Sequence, residues 1–175
     1  MPGPVFLRGS TIDLHPIDEE DLPFLQRLIN EPAVWNSLSR AAPVTEHDEH
    51  EFYESAVHSA SQEHLLVCVE GQPVGIVGLH DINHTWGVAE LGYFIDPSEQ
   101  GMGYASEAVE VFSEYAFNER RIAKLIAIVL ANNEASIRVL SKNGFSQEGC
   151  LNSYAFRHGR REDVVLYGKL ADHVH

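Results

Sequence analysis

The sequence predicts an α/β or α+β protein in which a sheet is flanked by helices. Two runs rich in β-branched and aromatic residues, Val88–Ile95 and Lys124–Leu130, are typical of buried strands. From Tyr104 the intervening segment changes to helical spacing, with apolar residues on one face and glutamates on the other. A chain of 175 residues without a repeat, a linker or a low-complexity segment is expected to form one domain, residues 1–175.

Capping and turn residues place the other elements. Asp18 and Thr45 stand where N-caps stand, and Asn133, or Asn132 before it, does the same for a later helix. In the first half of the chain we predict a strand with a turn over 6–14, a helix over 18–30, an irregular piece over 32–43, a helix over 45–59, and strands over 64–69 and 74–80. The strand–loop–helix unit follows over 88–119. After it we predict a strand over 124–130, a helix over 133–143, and strands over 145–151 and 164–170 joined by a basic loop.

The most informative stretch is the loop between the first of these apolar strands and its helix. The strand stops at Asp96-Pro97, and the loop reads Gln100-Gly101-Met102-Gly103-Tyr104-Ala105. The first turn of a helix carries unpaired N–H groups and a partial positive charge, and glycine lets a phosphate approach the backbone. The spacing therefore indicates an anion site or, equally, a tight turn without a ligand. It matches neither a P-loop nor a complete dinucleotide fingerprint.

The negative charge lies in the first part of the chain. Residues 1–99 hold 17 Asp and Glu against 3 Lys and Arg, whereas residues 100–175 hold 9 of each. A net charge of −14 argues against a nucleic-acid partner, because phosphate backbones need a basic face. An acidic excess with three lysines would also suit a protein that works in concentrated salt, where surface repulsion is screened.

Other classes of protein are disfavoured by composition. No apolar run approaches the ~18 residues of a membrane span, and the N-terminal MPGPVFLRGS is no signal peptide, so we expect a cytoplasmic protein without a membrane partner. Cys68 and Cys150 lie in strand-like runs and are expected to be buried, reduced thiols. The ten histidines do not show the ligand spacing of a zinc site, so no metal is expected.

At this point the residues match a family. The matching runs are AELGYFIDPSEQGMGYASEA, NNEASIRVLSKNGFSQEG and HGRREDVVLYGKL, and the opening LRGSTIDLHPIDEEDL is also similar. The chain resembles the GNAT superfamily of acyl-CoA-dependent N-acetyltransferases over nearly its whole length. The resemblance is to the branch that includes the RimJ and RimL ribosomal-protein acetyltransferases and the spermidine acetyltransferases.

The resemblance implies a fold and a cosubstrate. The fold is a mixed central sheet of about six to seven strands with splayed central strands, flanked by about four helices. The cosubstrate is acetyl-CoA, whose pyrophosphate would be held by the loop and whose pantetheine arm would pair with the preceding strand. The residues implied in this binding are Phe94, Ile95, Asp96, Gln100, Gly101, Met102, Gly103, Tyr104, Ala105, Asn133 and Ser136.

The reaction implies two catalytic roles. The amine must attack as the neutral base, and Glu90, inside AELGYF, lies where several members of the superfamily carry a general base. Ser136 of the N-x-x-S pair would protonate the departing thiolate. The alternatives are an exposed or ion-paired glutamate, a solvated or helix-bonded serine with Tyr104 or Tyr154 as the proton donor and, for Asn133, a helix cap. Some relatives of RimL type carry a functional glutamate in the last-but-one strand, where this chain has Ala155, so the RimL mechanism does not transfer directly.

The expected function is acetyl transfer from acetyl-CoA to a primary amine, which would be a protein N-terminus, a polyamine or another small molecule. The oligomeric state is not readable from the sequence. A homodimer is one state that fits, since dimers are common among similar proteins. Five acidic residues of the second helix either draw in a cationic acceptor or form a generic acidic surface: Glu46, Asp48, Glu49, Glu51 and Glu54. A regulatory module that binds acyl-CoA without catalysis and an interaction protein without a ligand are the alternative functions.

Overall fold

Eight strands form one mixed sheet in a computed structural model that describes residues 2–172, apart from the side chains of residues 57 and 58. The predicted domain of residues 1–175 therefore includes four residues, 1 and 173–175, that lie outside the described residues. The strands are β1 Leu7–Arg8, β2 Asp13–His15, β3 Glu63–Val69, β4 Gln72–Asn83, β5 Val88–Ile95, β6 Lys124–Leu130, β7 Ser146–Arg157 and β8 Arg160–Leu170. Their order in the sheet is β1-β2-β3-β4-β5-β6-β8-β7.

Within the described residues, five α-helices and two 3₁₀ turns accompany the sheet. The helices are α1 Leu22–Ile29, α2 Pro32–Trp35, α3 Glu46–His58, α4 Tyr104–Asn118 and α5 Glu134–Lys142. The predicted fold class is confirmed. The sheet has eight strands where about six to seven were expected, and there are five helices where about four were expected. The region predicted as one bent strand forms both β1 and β2, and the piece predicted as irregular contains α2, which starts at a proline in the position that helices favour.

The sheet is antiparallel except at one junction. β1 to β5 follow each other as antiparallel neighbours, and β6, β8 and β7 form a second antiparallel group. The parallel junction joins β5 to β6, because α4 carries the chain from the end of one strand back to the start of the next. The strand–loop–helix unit predicted from the sequence is therefore the crossover at the centre of the fold.

Helices cover both faces of the central part of the sheet. On one face, Phe112 and Ala116 of α4 pack against a large apolar cluster that includes Leu91 of β5 and Leu125 of β6. On the other, α1 and α3 contribute to a smaller cluster around Leu66 of β3. Neighbouring residues of β5 therefore face different sides, since side chains alternate along a strand.

Two expectations about the C-terminal part are wrong. The basic loop is the tip of a long hairpin, since β7 and β8 run on to the turn at His158-Gly159, where φ is 49° and 77°. Local composition concealed these strands because the outer half of β8 is charged, while that of β7 begins with Asn152-Ser153 and is mostly exposed. Cys68 is buried as expected, but Cys150 of β7 is exposed. No helix within residues 2–172 is both long and apolar enough to cross a membrane.

Candidate active site

The sheet opens between β5 and β6. Their parallel ladder holds three register pairs, which run from Val88 to Glu90 on β5. β5 stays paired with β4 as far as Ile95, and β6 stays paired with β8 as far as Leu130. The two strands therefore separate beyond Glu90, which confirms the predicted splay and leaves a cleft between them.

The loop before α4 has an open backbone. Gly101 and Gly103 have φ of 81° and 88°, where any side chain is strained, and a Cβ built on either would meet nothing within 4 Å. Within residues 2–172, none of the N–H groups from residue 101 to residue 106 donates to a protein acceptor. The first intrahelical bond runs from Glu107 N–H to the Gly103 carbonyl at 3.1 Å. The 15-residue helix α4 thus begins with unpaired donors beside open space, as an anion site requires.

The side chains of this loop do not converge on one site. Met102 is 66% exposed, whereas Tyr104 and Ala105 are partly buried against the apolar cluster under α4. The part that these residues offer to an anion is therefore their backbone.

Polar contacts tie the loop to the end of β5. Gln100 Nε2 donates to the Ile95 carbonyl at 3.1 Å. Asp96 accepts from the Ser98 N–H and hydroxyl through Oδ1, at 3.0 and 2.7 Å, and from Arg27 of α1 through Oδ2 at 2.9 Å. Partial burial works against the charge of Asp96, but the hydrogen bonds from Ser98 and Arg27 outweigh it and lower the pKa of that carboxyl. Asp96 and Gln100 therefore fix the shape of the loop.

Only alternate residues of β5 direct their backbone N–H and C=O groups into the cleft. The Asp96 N–H donates to the Val74 carbonyl of β4 at 2.8 Å. Because successive residues direct their backbone groups to opposite edges of a strand, those of Phe94 also face β4, while those of Tyr93 and Ile95 face the cleft. Of the three residues predicted to pair with the pantetheine arm, Ile95 directs its backbone to the cleft, whereas the backbone groups of Phe94 and Asp96 face β4.

Glu90 occupies the last paired position before the cleft. Its side chain is half-buried and lies on the face that α1 and α3 cover, because Ala89 and Leu91 on either side belong to the opposite cluster. Within residues 2–172 its carboxylate has no hydrogen bond or ion pair. Burial, and then the charge of Asp81, raise the pKa of Glu90. A half-buried carboxylate without a partner at a cleft is suited to accept a proton.

Asn133 and Ser136 meet at the start of α5. Asn133 Oδ1 accepts the Ser136 N–H at 3.2 Å, so the expected helix cap is present. The Ser136 hydroxyl makes no hydrogen bond within the described chain. It is partly exposed and remains free to act on a ligand.

Tyr93 is a residue that sequence reasoning missed. It extends from β5 on the side opposite Glu90, and its hydroxyl donates to the Ser136 carbonyl at 3.3 Å. Burial raises the pKa of Tyr93 to about 12. The tyrosine therefore connects β5 to α5 beside the cleft. The alternation of AELGYF contained the signal, since residues at odd spacing from Glu90 must face the other side.

The hairpin of β7 and β8 reaches the last residue of α2 and the segment that follows it. Arg157 near the hairpin tip donates to the carbonyls of Trp35, at 3.1 Å, and of Leu38. This contact joins distant parts of the chain, and it was hidden from sequence reasoning because residues 152–163 were assigned to a loop. The hairpin and the segment after α2 are therefore held together by a side chain of β7.

The acidic residues of α3 are less uniform than predicted. Asp48 is engaged in the cap, where it accepts from the Thr45 N–H and hydroxyl at 2.7 Å each. Glu49 is 4% exposed, and its burial raises the pKa of its carboxyl. Glu46, Glu51 and Glu54 are the exposed members of the five. Any attraction of a cation by α3 therefore depends on these three.

No cluster of three or more His, Cys, Asp or Glu side chains suited to a metal ion exists among the residues that the structure describes.

Three comparisons identify similar proteins. The family model described as an acetyltransferase (GNAT) domain matches residues 11–146. The spermidine N(1)-acetyltransferase of Escherichia coli K12 is 31% identical over 160 residues, 90% of this chain and 84% of that protein. The ribosomal-protein-serine acetyltransferase of the same strain is 26% identical over 170 residues, 94% of this chain and 95% of that protein. The structure of spermidine N-acetyltransferase from Vibrio cholerae in complex with CoA and spermine superposes with a TM-score of 0.87 at 25% identity, over 92% of this chain and 96% of that one.

Proposed function

The chain belongs to the GNAT acetyltransferase family, and from that premise we propose how its residues transfer an acetyl group from acetyl-CoA to a primary amine. It is an acetyl-CoA-dependent N-acetyltransferase. The observation that carries the assignment of the site is the cleft between β5 and β6, which begins at Glu90 and lies beside the open N-terminus of α4. A cosubstrate with a diphosphate at one end and a thioester at the other suits both features.

The proposed cofactor site uses backbone groups. The amides from Gly101 to Ala105 hold the pyrophosphate, because they are unpaired and their helix end is electropositive. The cleft-facing edge of β5, at Tyr93 and Ile95, pairs with the pantetheine arm as an added strand does. Asn133 orients Ser136 at the opposite side. Acetyl-CoA supplies the activated acetyl group, and the protein supplies its position.

Glu90 is proposed as the general base. At pH 7, deprotonation costs about 1 kcal/mol for an α-amino group with a pKa of about 7.8 and ~4.6 kcal/mol for a lysine-like amine with a pKa of about 10.4. A carboxylate whose pKa is raised by burial is a stronger base than an exposed one. Glu90 therefore assists the deprotonation of either kind of amine, and its help matters most for the lysine-like amine, whose deprotonation costs more.

Ser136 is proposed as the acid that protonates the departing thiolate. Its effect is modest, because a thiol with a pKa of about 8.5 is already a fair leaving group. We expect Ser136→Ala to leave acetyl-CoA affinity unchanged and to lower kcat about threefold to tenfold, measured by release of free CoA thiol. Ser141→Ala, an exposed serine on the same helix, is the control. Equal kcat for both variants would remove Ser136 from the mechanism and leave Tyr93 as the nearer donor.

The acceptor class is tested by thiol release against a panel. The relatives named above act on spermidine or on a ribosomal protein serine, so the panel contains spermidine, a peptide with an N-terminal serine, and single amino acids. The exposed acidic residues of α3 favour a cationic acceptor. Acetyl-CoA at 100 times its Kd should stabilise the fold by about 2.7 kcal/mol. Stabilisation without thiol release from any amine would contradict catalysis, and no stabilisation would contradict the cofactor site.

A further inference from the structure

The sheet is open over β6, β8 and β7 on the face to which Glu90 belongs. On that face α1 and α3 pack against β3, β4 and β5, in a cluster that includes Leu66, Ile76 and Phe94. The residues of β6 and β8 that join the cluster under α4 point the other way, and they are Leu125, Ala127, Val165 and Tyr167. Because side chains alternate along a strand, the residues between them face the open side.

The side chains on this open side are apolar, and they adjoin Glu90. Ile126 is the register partner of Glu90 across the parallel junction. Ile128 of β6 is 44% exposed, and it pairs with Leu166 of β8, which is partly exposed. In the next row the buried Val164 lies between two leucines, one on each neighbouring strand. Together these strands form an apolar wall that consists of Ile126, Ile128, Leu130, Leu151 and Leu166.

Charged side chains border the wall, but their charges are already paired. Lys124 Nζ donates to Glu148 Oε2 at 2.7 Å on one side. At the hairpin end Arg160 forms an ion pair with Glu162 at 2.9 Å, and Arg157 donates to backbone carbonyls of α2 and the segment after it. Within the described residues, this face of β6, β7 and β8 therefore presents no unpaired carboxylate to a ligand.

We propose that the apolar wall binds the body of the acceptor, and that the acceptor is a primary amine with an apolar group close to its nitrogen. The proposal rests on the proposed function, in which Glu90 takes a proton from the amine, so that the amine lies on the face of Glu90. On the β5 side that face is covered by α1 and α3. The acceptor therefore extends over β6 and β8.

The spacing of the strands sets which group of the acceptor meets which residue. Neighbouring strands lie about 4.8 Å apart, so Ile126 and Ile128 adjoin the amine and Leu166 lies one strand farther. A side chain on the carbon that bears the amine contacts β6 first and β8 next. Apolar surface that is removed from water in this way contributes to binding in proportion to its area.

A second ammonium group on the acceptor would be disfavoured by the same wall. It would lose water on an apolar surface where Glu148 and Glu162 are engaged by Lys124 and Arg160. The exposed acidic residues of α3 attract any ammonium at a distance, whereas the wall acts on the rest of the acceptor in contact. The wall therefore selects among the amines that the acidic surface attracts.

Two matched pairs of amines test this selection by release of CoA thiol. Leucinamide and glycinamide differ in an apolar side chain, and pentylamine and cadaverine differ in a second ammonium at the far end. We expect kcat/KM to be at least about tenfold higher for leucinamide than for glycinamide, since apolar pockets discriminate by about 10- to 200-fold. Pentylamine should likewise exceed cadaverine by about tenfold.

Substitutions in the wall locate the preference. Ile128→Asn and Leu166→Asn should each lower the ratio of leucinamide to glycinamide towards one, while Ile128→Leu should keep it. Leu170→Asn is the matched control, because Leu170 is 55% exposed on the same face of β8 but lies beyond Gly168, beside the Lys124–Glu148 pair. Its ratio should equal that of the wild type. The thermal shift with acetyl-CoA verifies that each variant is folded.

A wild-type ratio near one in an active enzyme would overturn the wall and leave the proposed function intact. If that enzyme also eluted at twice the monomer mass, the open face would be assigned to a second copy of the chain. A high ratio that both asparagine variants retain, or faster acetylation of cadaverine than of pentylamine, would overturn the wall as well. Release of no thiol with any amine would overturn the proposed function together with it. If Ile128→Asn loses stabilisation by acetyl-CoA, the wild-type ratio and Leu166→Asn decide the outcome.

Discussion

Glu90→Gln is expected to lower kcat for acetylation of a primary amine by about 100-fold or more at pH 7, while acetyl-CoA affinity stays unchanged. The reason is that a positioned base contributes about 10²- to 10⁴-fold, and glutamine keeps the shape of glutamate without its basicity. Glu90 lies at the point where β5 and β6 separate, so the substitution acts beside the reacting groups. The measurement is thiol release at saturating acetyl-CoA, with the affinity taken from thermal shifts.

The pH dependence of activity distinguishes a base from a structural glutamate. Burial raises the pKa of Glu90, so wild-type activity should fall as the pH drops through that raised value, because the base must be ionised. The variant should lack this acidic limb.

Stability should change in the opposite sense. A carboxyl whose folded pKa is raised favours the folded state at low pH, and that contribution is lost as the pH rises through the folded value. The ionised carboxylate therefore disfavours the fold at pH 7, and Glu90→Gln should melt at the same temperature or higher.

Glu110→Gln, on the exposed face of α4, is the matched control and should behave as the wild type. A Glu90→Gln variant within twofold of wild-type kcat would remove the glutamate from catalysis. A loss of activity accompanied by a lower melting temperature would reassign Glu90 to the fold.

The second large effect concerns the loop before α4. Gly101→Ala combined with Gly103→Ala should weaken acetyl-CoA binding by about 100-fold, because each alanine is strained by about 1–2 kcal/mol in the left-handed region and each 1.4 kcal/mol is tenfold in affinity. Relief of that strain turns the amides away from the diphosphate. The measurement is the concentration dependence of the thermal shift with acetyl-CoA.

A matched pair of glycines separates binding from stability. Gly71 and Gly159 have φ of 75° and 77°, and a Cβ at either would also meet nothing within 4 Å. Gly71→Ala combined with Gly159→Ala should therefore lose comparable stability and keep its affinity for acetyl-CoA. If both double variants lost affinity equally, or if neither did, the diphosphate would not lie at the loop before α4.

Local patterns carried the prediction of this loop and its helix. Gly101 and Gly103 adopt the conformations that glycine permits, and Asn133 caps α5 as its position in the sequence indicated. Such features depend on a few neighbouring residues, so they are readable from the chain alone. The family motifs rest on the same segments, which is why the fold class and the acetyltransferase activity followed from them.

The features that the sequence did not predict depend on pairing between residues far apart in the chain. β7 and β8 extend past their apolar halves because each supplies the other with hydrogen-bond partners along the hairpin. The same pairing places Arg157 against the segment after α2. Neither result is encoded in local periodicity, since the outer half of β8 is charged and that of β7 starts with Asn152 and Ser153, where the register shifts.

By itself, the sequence determined the α/β class, the glycine-containing loop at the start of α4, the cap of α5 and the acidic first part of the chain. Tertiary structure alone decided which backbone groups of β5 face the cleft, that Tyr93 reaches Ser136, and that His80 of β4 meets His64 of β3. The physical reason is the distance along the chain between the residues that interact. Turns and caps are closed by neighbouring residues, whereas strand register is set by residues far apart in the chain, and a shift of one residue would turn each of these side chains to the other face.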